Sequence, residues 1–231
     1  MHAQSAPIVF DLPELRDRVR VFRDRAHAGQ VLADMLEAYR QQQSIVFGIP
    51  AGGVPVGAVI AVQLSLPFDV AAVSKITLPW NTEAGYGAVA FDGTVMLNDA
   101  LLSRLGLTED EVRKGIEQTS IKVGRRVQRL RGQQPFPELS KRSVILVDDG
   151  LASGFTMRVA VEALRKAGAD HMIVAVPTGH IGAVDRITSE VEAIYCPNIR
   201  GGWRFAVADA YEQWRDVDEE EVINILAGLA S

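Results

Sequence analysis

Between residues 24 and 39 the apolar residues Ala28, Leu32, Met35, Leu36 and Tyr39 recur at helical spacing, and Asp24 stands where a helix cap belongs. Residues 44–48 form a short apolar run that predicts a buried strand. Gly52-Gly53 follows, and residues 54–64 predict a helix. Residues 68–76, rich in valine and alanine, predict a second strand. Residues 78–87 carry Pro79, Asn81, Gly85 and Gly87 and predict a loop. Residues 88–91 and 94–97 flank Asp92-Gly93, a strong hairpin signal. Thr108 and Glu111 make a capping box that opens a polar helix reaching about Arg131. Residues 144–147 predict another continuous apolar strand, followed by a loop and a helix that ends at Gly168. Residues 171–176 and 193–196 predict further strands, and Asp218 starts a closing helix.

Strands that alternate with helices, and read as unbroken apolar runs, describe an α/β fold: a mainly parallel, doubly wound sheet with helices on both faces. Ligands of such sheets bind at the carboxyl ends of the strands, so the loops after Gly48, Ile76 and Val147 are where chemistry is sought. The 231 residues suit a single domain. With 48% hydrophobic and 23% charged residues, the chain is neither disordered nor fibrous. A net charge of −5 argues against broad binding to nucleic acid. No apolar run approaches the roughly 20 residues of a membrane span, and the first 20 residues lack the apolar block of a secretion signal. Cys196 is the sole cysteine, which excludes an internal disulfide and fits a reducing, cytoplasmic setting.

The segment from Val144 to Thr156 is the most informative. Four apolar strand residues end in Asp148-Asp149, then a turn of mostly small residues, Gly150, Leu151, Ala152 and Ser153, leads to a helix that starts near Gly154 and continues through Phe155 and Thr156. Main-chain N–H groups at a helix start bind a phosphate well. Glycines let the backbone approach it, and Ser153 and Thr156 can add hydroxyl donors. The carboxylates would repel a phosphate, but they accept hydrogen bonds from sugar hydroxyls or hold a hydrated metal ion. A phosphate cradle beside two such acceptors describes a sugar phosphate. The competing reading is a plain helix cap with two exposed acids. The chain has no Gly-Lys-Ser/Thr phosphate loop, no dinucleotide fingerprint and no Gly-x-Ser-x-Gly elbow.

This segment closely resembles the phosphoribosyl pyrophosphate (PRPP) motif of type I phosphoribosyltransferases. The resemblance assigns Asp148 and Asp149 to the ribose hydroxyls and Leu151 to Thr156 to the 5′-phosphate. It also implies a second anion loop, for pyrophosphate, after the first core strand. Ala51, Gly52 and Gly53 occupy that place, and a non-proline cis peptide is expected within residues 50–53. Lys75 is the implied basic residue at the pyrophosphate, residues 78–97 the implied lid and hairpin, and residues 198–231 the implied hood and closing helix. Residues 1–21 are then an N-terminal extension. The wider similarity, to a group of predicted phosphoribosyltransferases, runs from Phe22-Arg23-Asp24-Arg25 to residues 205–211 and the acidic stretch after Asp218. Two departures stand out: Ala51 where the resemblance leads one to expect arginine, and Ser74-Lys75 where it leads one to expect a basic pair. Each would remove positive charge from the leaving-group site.

The implied activity is Mg²⁺-dependent transfer of the phosphoribosyl group from PRPP to a nitrogenous acceptor such as a nucleobase. Asp148 and Asp149 would reach the metal indirectly, through water or ribose hydroxyls. A homodimer is implied as well. The alternative is a non-catalytic PRPP- or nucleotide-binding regulator, motivated by the two departures. Outside the motif, Arg125, Arg126, Arg129 and Arg131 read either as cations suited to a helix C-terminus or as a reach toward phosphate. His180 reads as a loop residue or one facing the acceptor. Trp203 and Phe205 read as hood or packing, Trp80 and Tyr86 as lid or packing, and Cys196 as a buried small hydrophobe.

Overall fold

A computed structural model describes residues 8–229, and of residues 82–84 the backbone alone. Residues 1–7 of the expected N-terminal extension lie outside the described residues. In chain order, strand β1 (Ile8–Phe10) precedes helix α1 (Arg25–Met35), and β2 (Ser44–Gly48) leads through α2 (Gly53–Leu64) to β3 (Phe68–Val70). Then come β4 (Val73–Leu78), β5 (Asn81–Ala90) and β6 (Val95–Leu97), followed by α3 (Asp99–Leu105) and α4 (Glu109–Arg131). The second half runs β7 (Ser143–Val147), α5 (Phe155–Lys166), β8 (His171–Ala175), β9 (Thr178–His180), α6 (Ile181–Thr188), β10 (Ala193–Tyr195), β11 (Asn198–Arg200) and α7 (Glu219–Leu229).

The central sheet has the order β1-β10-β8-β7-β2-β3, and every pairing in it is parallel. Successive side chains of a strand point to opposite faces. On β7, Val144 and Leu146 join one apolar cluster with Val159, Leu164, Val184 and Ile187 of α5 and α6. Ile145 and Val147 join the other, with Leu32 and Leu36 at α1 and Val56, Ile60 and Leu64 of α2. Both faces of the sheet are therefore covered, which is why its strands read as continuous apolar runs, and the doubly wound α/β class holds. Among the described residues no helix is long and apolar enough to cross a membrane.

Start signals behave as the sequence predicts. The Asp24 carboxylate accepts from the His27 amide at 2.8 Å and caps α1. Thr108 and Glu111 form the reciprocal capping box of α4. The peptide between Pro50 and Ala51 is cis.

Two expectations are corrected. The single strand expected over residues 68–76 is two strands in different sheets. β3 closes the edge of the parallel sheet, the chain turns at Ala71-Ala72, and β4 opens a separate antiparallel sheet with β5 and β6. Val70, Ala71, Ala72 and Val73 are all buried, so no polar residue marks the switch. The loop expected over residues 78–87 is mostly β5, paired with β4 through an irregular register. Its glycines serve packing. A β-carbon at Gly87 would lie 2.8 Å from Leu97 Cδ2 and 2.9 Å from Ile76 Cδ1. The expected turn at Asp92-Gly93 is present between β5 and β6, with the Gly93 amide donating to the Ala90 carbonyl.

The two ends of the described chain meet. The Val21 and Phe22 amides donate to the Ala210 carbonyl, and the Glu212 amide donates to the Phe22 carbonyl at 2.8 Å. Residues before Phe22 thus include an edge strand of the main sheet and a seam to the C-terminal segment.

Candidate active site

The turn after β7 is shaped by what its backbone is bound to. The Leu151 amide donates to the Thr178 carbonyl and the His180 amide to the Leu151 carbonyl, both at 2.9 Å, and the Leu151 side chain is buried in the core. Of the residues expected at a phosphate, Leu151 therefore anchors the loop and has no free amide. Phe155 donates its amide to Ser153 Oγ at 3.3 Å. The amides of Ala152, Ser153, Gly154, Thr156 and Met157 have no hydrogen-bond partner among the described residues. Gly154 sits at φ +75°, the left-handed conformation that turns these amides into the first turn of α5. Gly150 has a different reason to be glycine, since a β-carbon there would fall 2.4 Å from Val207 Cγ1.

Asp148 and Asp149 stand at the sheet's carboxyl edge. The Asp149 amide donates to Asp148 Oδ1 at 2.9 Å. Arg25 reaches in from α1 and places Nε at 2.9 Å and Nη2 at 2.7 Å from the same oxygen, Asp149 Oδ2. Its Nη1 donates to the Arg215 carbonyl at 2.8 Å, and its guanidinium lies 4.0 Å from the Trp214 ring centroid. The Tyr211 hydroxyl donates to the Asp149 carbonyl at 2.7 Å. Burial pushes both carboxyls above the usual range. Asp148 is raised well above it, by desolvation and then by its neighbour Asp149. At Asp149 the adjacent Arg25 opposes the effect of burial.

The second loop packs directly under the first. A β-carbon at Gly52 would lie 1.9 Å from Asp149 Oδ2, and one at Gly53 would lie 2.4 Å from the Val147 carbonyl. Ala51 rests against an apolar cluster that includes Val54, Val70 and Val222. Lys75 on β4 is exposed and lines a cavity together with Asp148, Asp149 and the turn after β7. Ser74 is buried on the other face of β4. A side chain at that place leaves the strand on the face opposite Lys75.

A cavity of about 180 Å³ is lined by Lys75, Asp148, Asp149, Gly150 to Gly154, Thr156, Met157 and Val207. It shares Lys75, Ala152, Ser153 and Thr156 with a larger one of about 660 Å³ that extends toward Gly85, Asn98 and Arg186. The structure thus brings together the acids, the phosphate turn, the glycine pair and Lys75. Arg25 is the neighbour that sequence reading missed, 124 residues away from Asp149.

Arg126 and Arg129 pair with Glu219, and Arg131 forks onto Asp69. Those three follow the structural reading. His180 caps α6 through Nδ1, which accepts from the Gly182 amide, while Nε2 lies 3.0 Å from the Gly202 carbonyl. Tyr86 is core, whereas Trp80 and Trp203 are exposed. Phe205 packs edge-on against His180. Cys196 is buried, and burial raises its thiol pKa.

A family model described as a phosphoribosyl transferase domain matches residues 91–210, which include the whole Asp148–Thr156 segment. This chain belongs to the phosphoribosyltransferase family. It is 32% identical over 208 residues to a Mycobacterium tuberculosis protein named "Putative phosphoribosyl transferase Rv0571c", covering 90% of this chain and 47% of that one. The chain spans about half the length of the curated relatives it matches. Among solved structures, TT1426 from Thermus thermophilus is 31% identical with a TM-score of 0.72, covering 91% of this chain and 99% of that one.

Proposed function

We propose that this protein transfers the phosphoribosyl group of PRPP to a nitrogenous acceptor such as a nucleobase and releases pyrophosphate. The observation that carries the proposal is the set of unpaired amides of Ala152, Ser153, Gly154, Thr156 and Met157 beside two carboxyls at one sheet edge. The amides suit the 5′-phosphate and the acids suit the ribose hydroxyls. Lys75 and the main-chain amides of Ala51 and Gly52 are assigned to pyrophosphate, while the Gly53 amide donates to the Ile49 carbonyl at 2.9 Å and holds the loop. The acceptor side is assigned to the C-terminal segment, where Val207 closes the cavity over Gly150.

Breaking the bond from ribose C1 to pyrophosphate builds positive charge on the sugar and negative charge on the leaving group, as in glycoside cleavage. Preorganised charge is usually the largest contribution to such a step. Here Lys75 and the loop amides oppose the departing charge, while the acids hold the ring. The donor set fits a metal carried chiefly by the substrate, because one oxygen of Asp149 is already paired with Arg25. Mg²⁺ would be held by substrate oxygens, with Asp148 and Asp149 reaching it through water or ribose hydroxyls, and would neutralise charge on pyrophosphate.

The test is to supply PRPP and Mg²⁺ with a panel of nucleobases and follow pyrophosphate. Release with at least one base is expected. Tight PRPP binding without turnover on any base would favour the regulatory reading, which the uncharged Ala51 supports. Absence of PRPP binding would overturn both.

A further inference from the structure

We infer that Arg25 is the positioning residue of this site: reaching from α1, it holds Asp149 by one oxygen and leaves the other to the ribose. The inference rests on the reading of Asp149 as a ribose-binding acid. Arg25 is 9% exposed and all three of its guanidinium nitrogens are engaged, two on Asp149 Oδ2 and one on the Arg215 carbonyl. Asp149 Oδ1 has no partner from another residue among the described residues. Trp214 stacks on one side of the guanidinium, and Arg215 is itself clamped by Glu221. The fork therefore cannot swing away without disturbing the C-terminal segment. Beneath it, Gly52 leaves no room for the carboxylate to drop.

A buried carboxylate is costly unless a cation is paired with it. The charged and titratable groups around Asp149 are Asp148 beside it, Lys75 on β4, Arg25 on α1, and Tyr211 with the Arg215–Glu221 pair on the C-terminal segment. Among these, Arg25 alone is paired with the Asp149 carboxylate. It keeps the acid an acceptor for sugar hydroxyls. It also brings a fixed positive charge close to the pyrophosphate loop, where Ala51 supplies none.

The experiment is calorimetric titration of PRPP with Mg²⁺ at pH 8 into the wild-type protein, Arg25→Gln, Arg25→Lys and Asp149→Asn, with each variant's thermal midpoint measured alongside. Arg25→Gln keeps a donor and loses the charge. It is expected to bind roughly tenfold or more weakly than wild type. Arg25→Lys keeps the charge and is expected to recover most of that affinity. No deficit in Arg25→Gln, or an equal deficit in Arg25→Gln and Arg25→Lys, would overturn the inference, because a packing role alone predicts no rescue by the retained charge. Should Arg25→Gln fail to fold, a deficit in Arg25→Lys as large as that of Asp149→Asn would overturn it. Asp149→Asn binding as tightly as wild type would instead remove the ribose reading on which the inference stands.

Discussion

Gly53 shows how closely the two anion loops are fitted. Its missing side chain leaves space for the Val147 carbonyl and the Asp148 Cα, which a β-carbon would approach to 2.4 and 2.8 Å. Both are backbone atoms and cannot rotate aside. Gly53→Ala is expected to cost about 1–3 kcal/mol of stability, read as a lower denaturation midpoint. Asp148 presents the opposite case, a residue whose charge opposes folding. Burial raises its pKa, so between the unfolded-state and folded-state values only the folded form keeps the proton, and stability falls as pH rises across that window. Below the unfolded-state value both forms are protonated and the effect is constant. Asp148→Asn keeps the acceptor for the Asp149 amide and removes the charge. It is expected to be more stable than wild type at pH 8, with the advantage narrowing as pH falls. Chemical denaturation at pH 6 and pH 8 measures this, and an advantage that grows on acidification would contradict it.

Among the elements, α4 depends most visibly on its start. It is a largely polar helix that packs Val112, Ile116, Val123 and Val127 against Ile76, Tyr86 and Val89, and the capping box at Thr108 fixes where it begins. Thr108→Ala is expected to cost about 1 kcal/mol, seen as a lower thermal midpoint with no change in PRPP affinity. The same box was legible in the sequence because its two partners are three residues apart. So were β2 and β7, which are buried on both faces and bounded by polar residues or glycine. Elements failed to show where the local signal was ambiguous. The change of sheet at Ala71-Ala72 lies inside an apolar run, and the glycines of β5 imitate a loop while admitting neighbouring side chains. The short strands β1, β9 and β11 have three residues each, too few for any period to emerge. At the site, the twin acids and the turn were legible as one segment. Arg25 was not, because a pairing across 124 residues leaves no local pattern.

In the molecule as a whole, residues 20–25 and the C-terminal segment 209–221 are joined beside Asp149. The seam between residues 20–22 and 209–212, the Arg25 fork and the Arg215–Glu221 pair join α1 to the C-terminal segment. On another side, α4 is tied to α7 through Arg126, Arg129 and Glu219 and to β3 through Arg131 and Asp69. A ligand that binds only the folded protein stabilises it by mass action. PRPP at about 100 times its dissociation constant is expected to add about 2.7 kcal/mol, seen as a higher thermal midpoint in the wild type and a much smaller one in Asp149→Asn. The central claim is that main-chain amides grip a phosphate monoester while the adjacent acids face a pentose. A crystal structure with PRPP and Mg²⁺ tests it most directly. The account predicts the 5′-phosphate on the amides of residues 152–157 and the ribose hydroxyls at Asp148 and Asp149. A phosphate bound elsewhere, with that turn unchanged and empty, would contradict it.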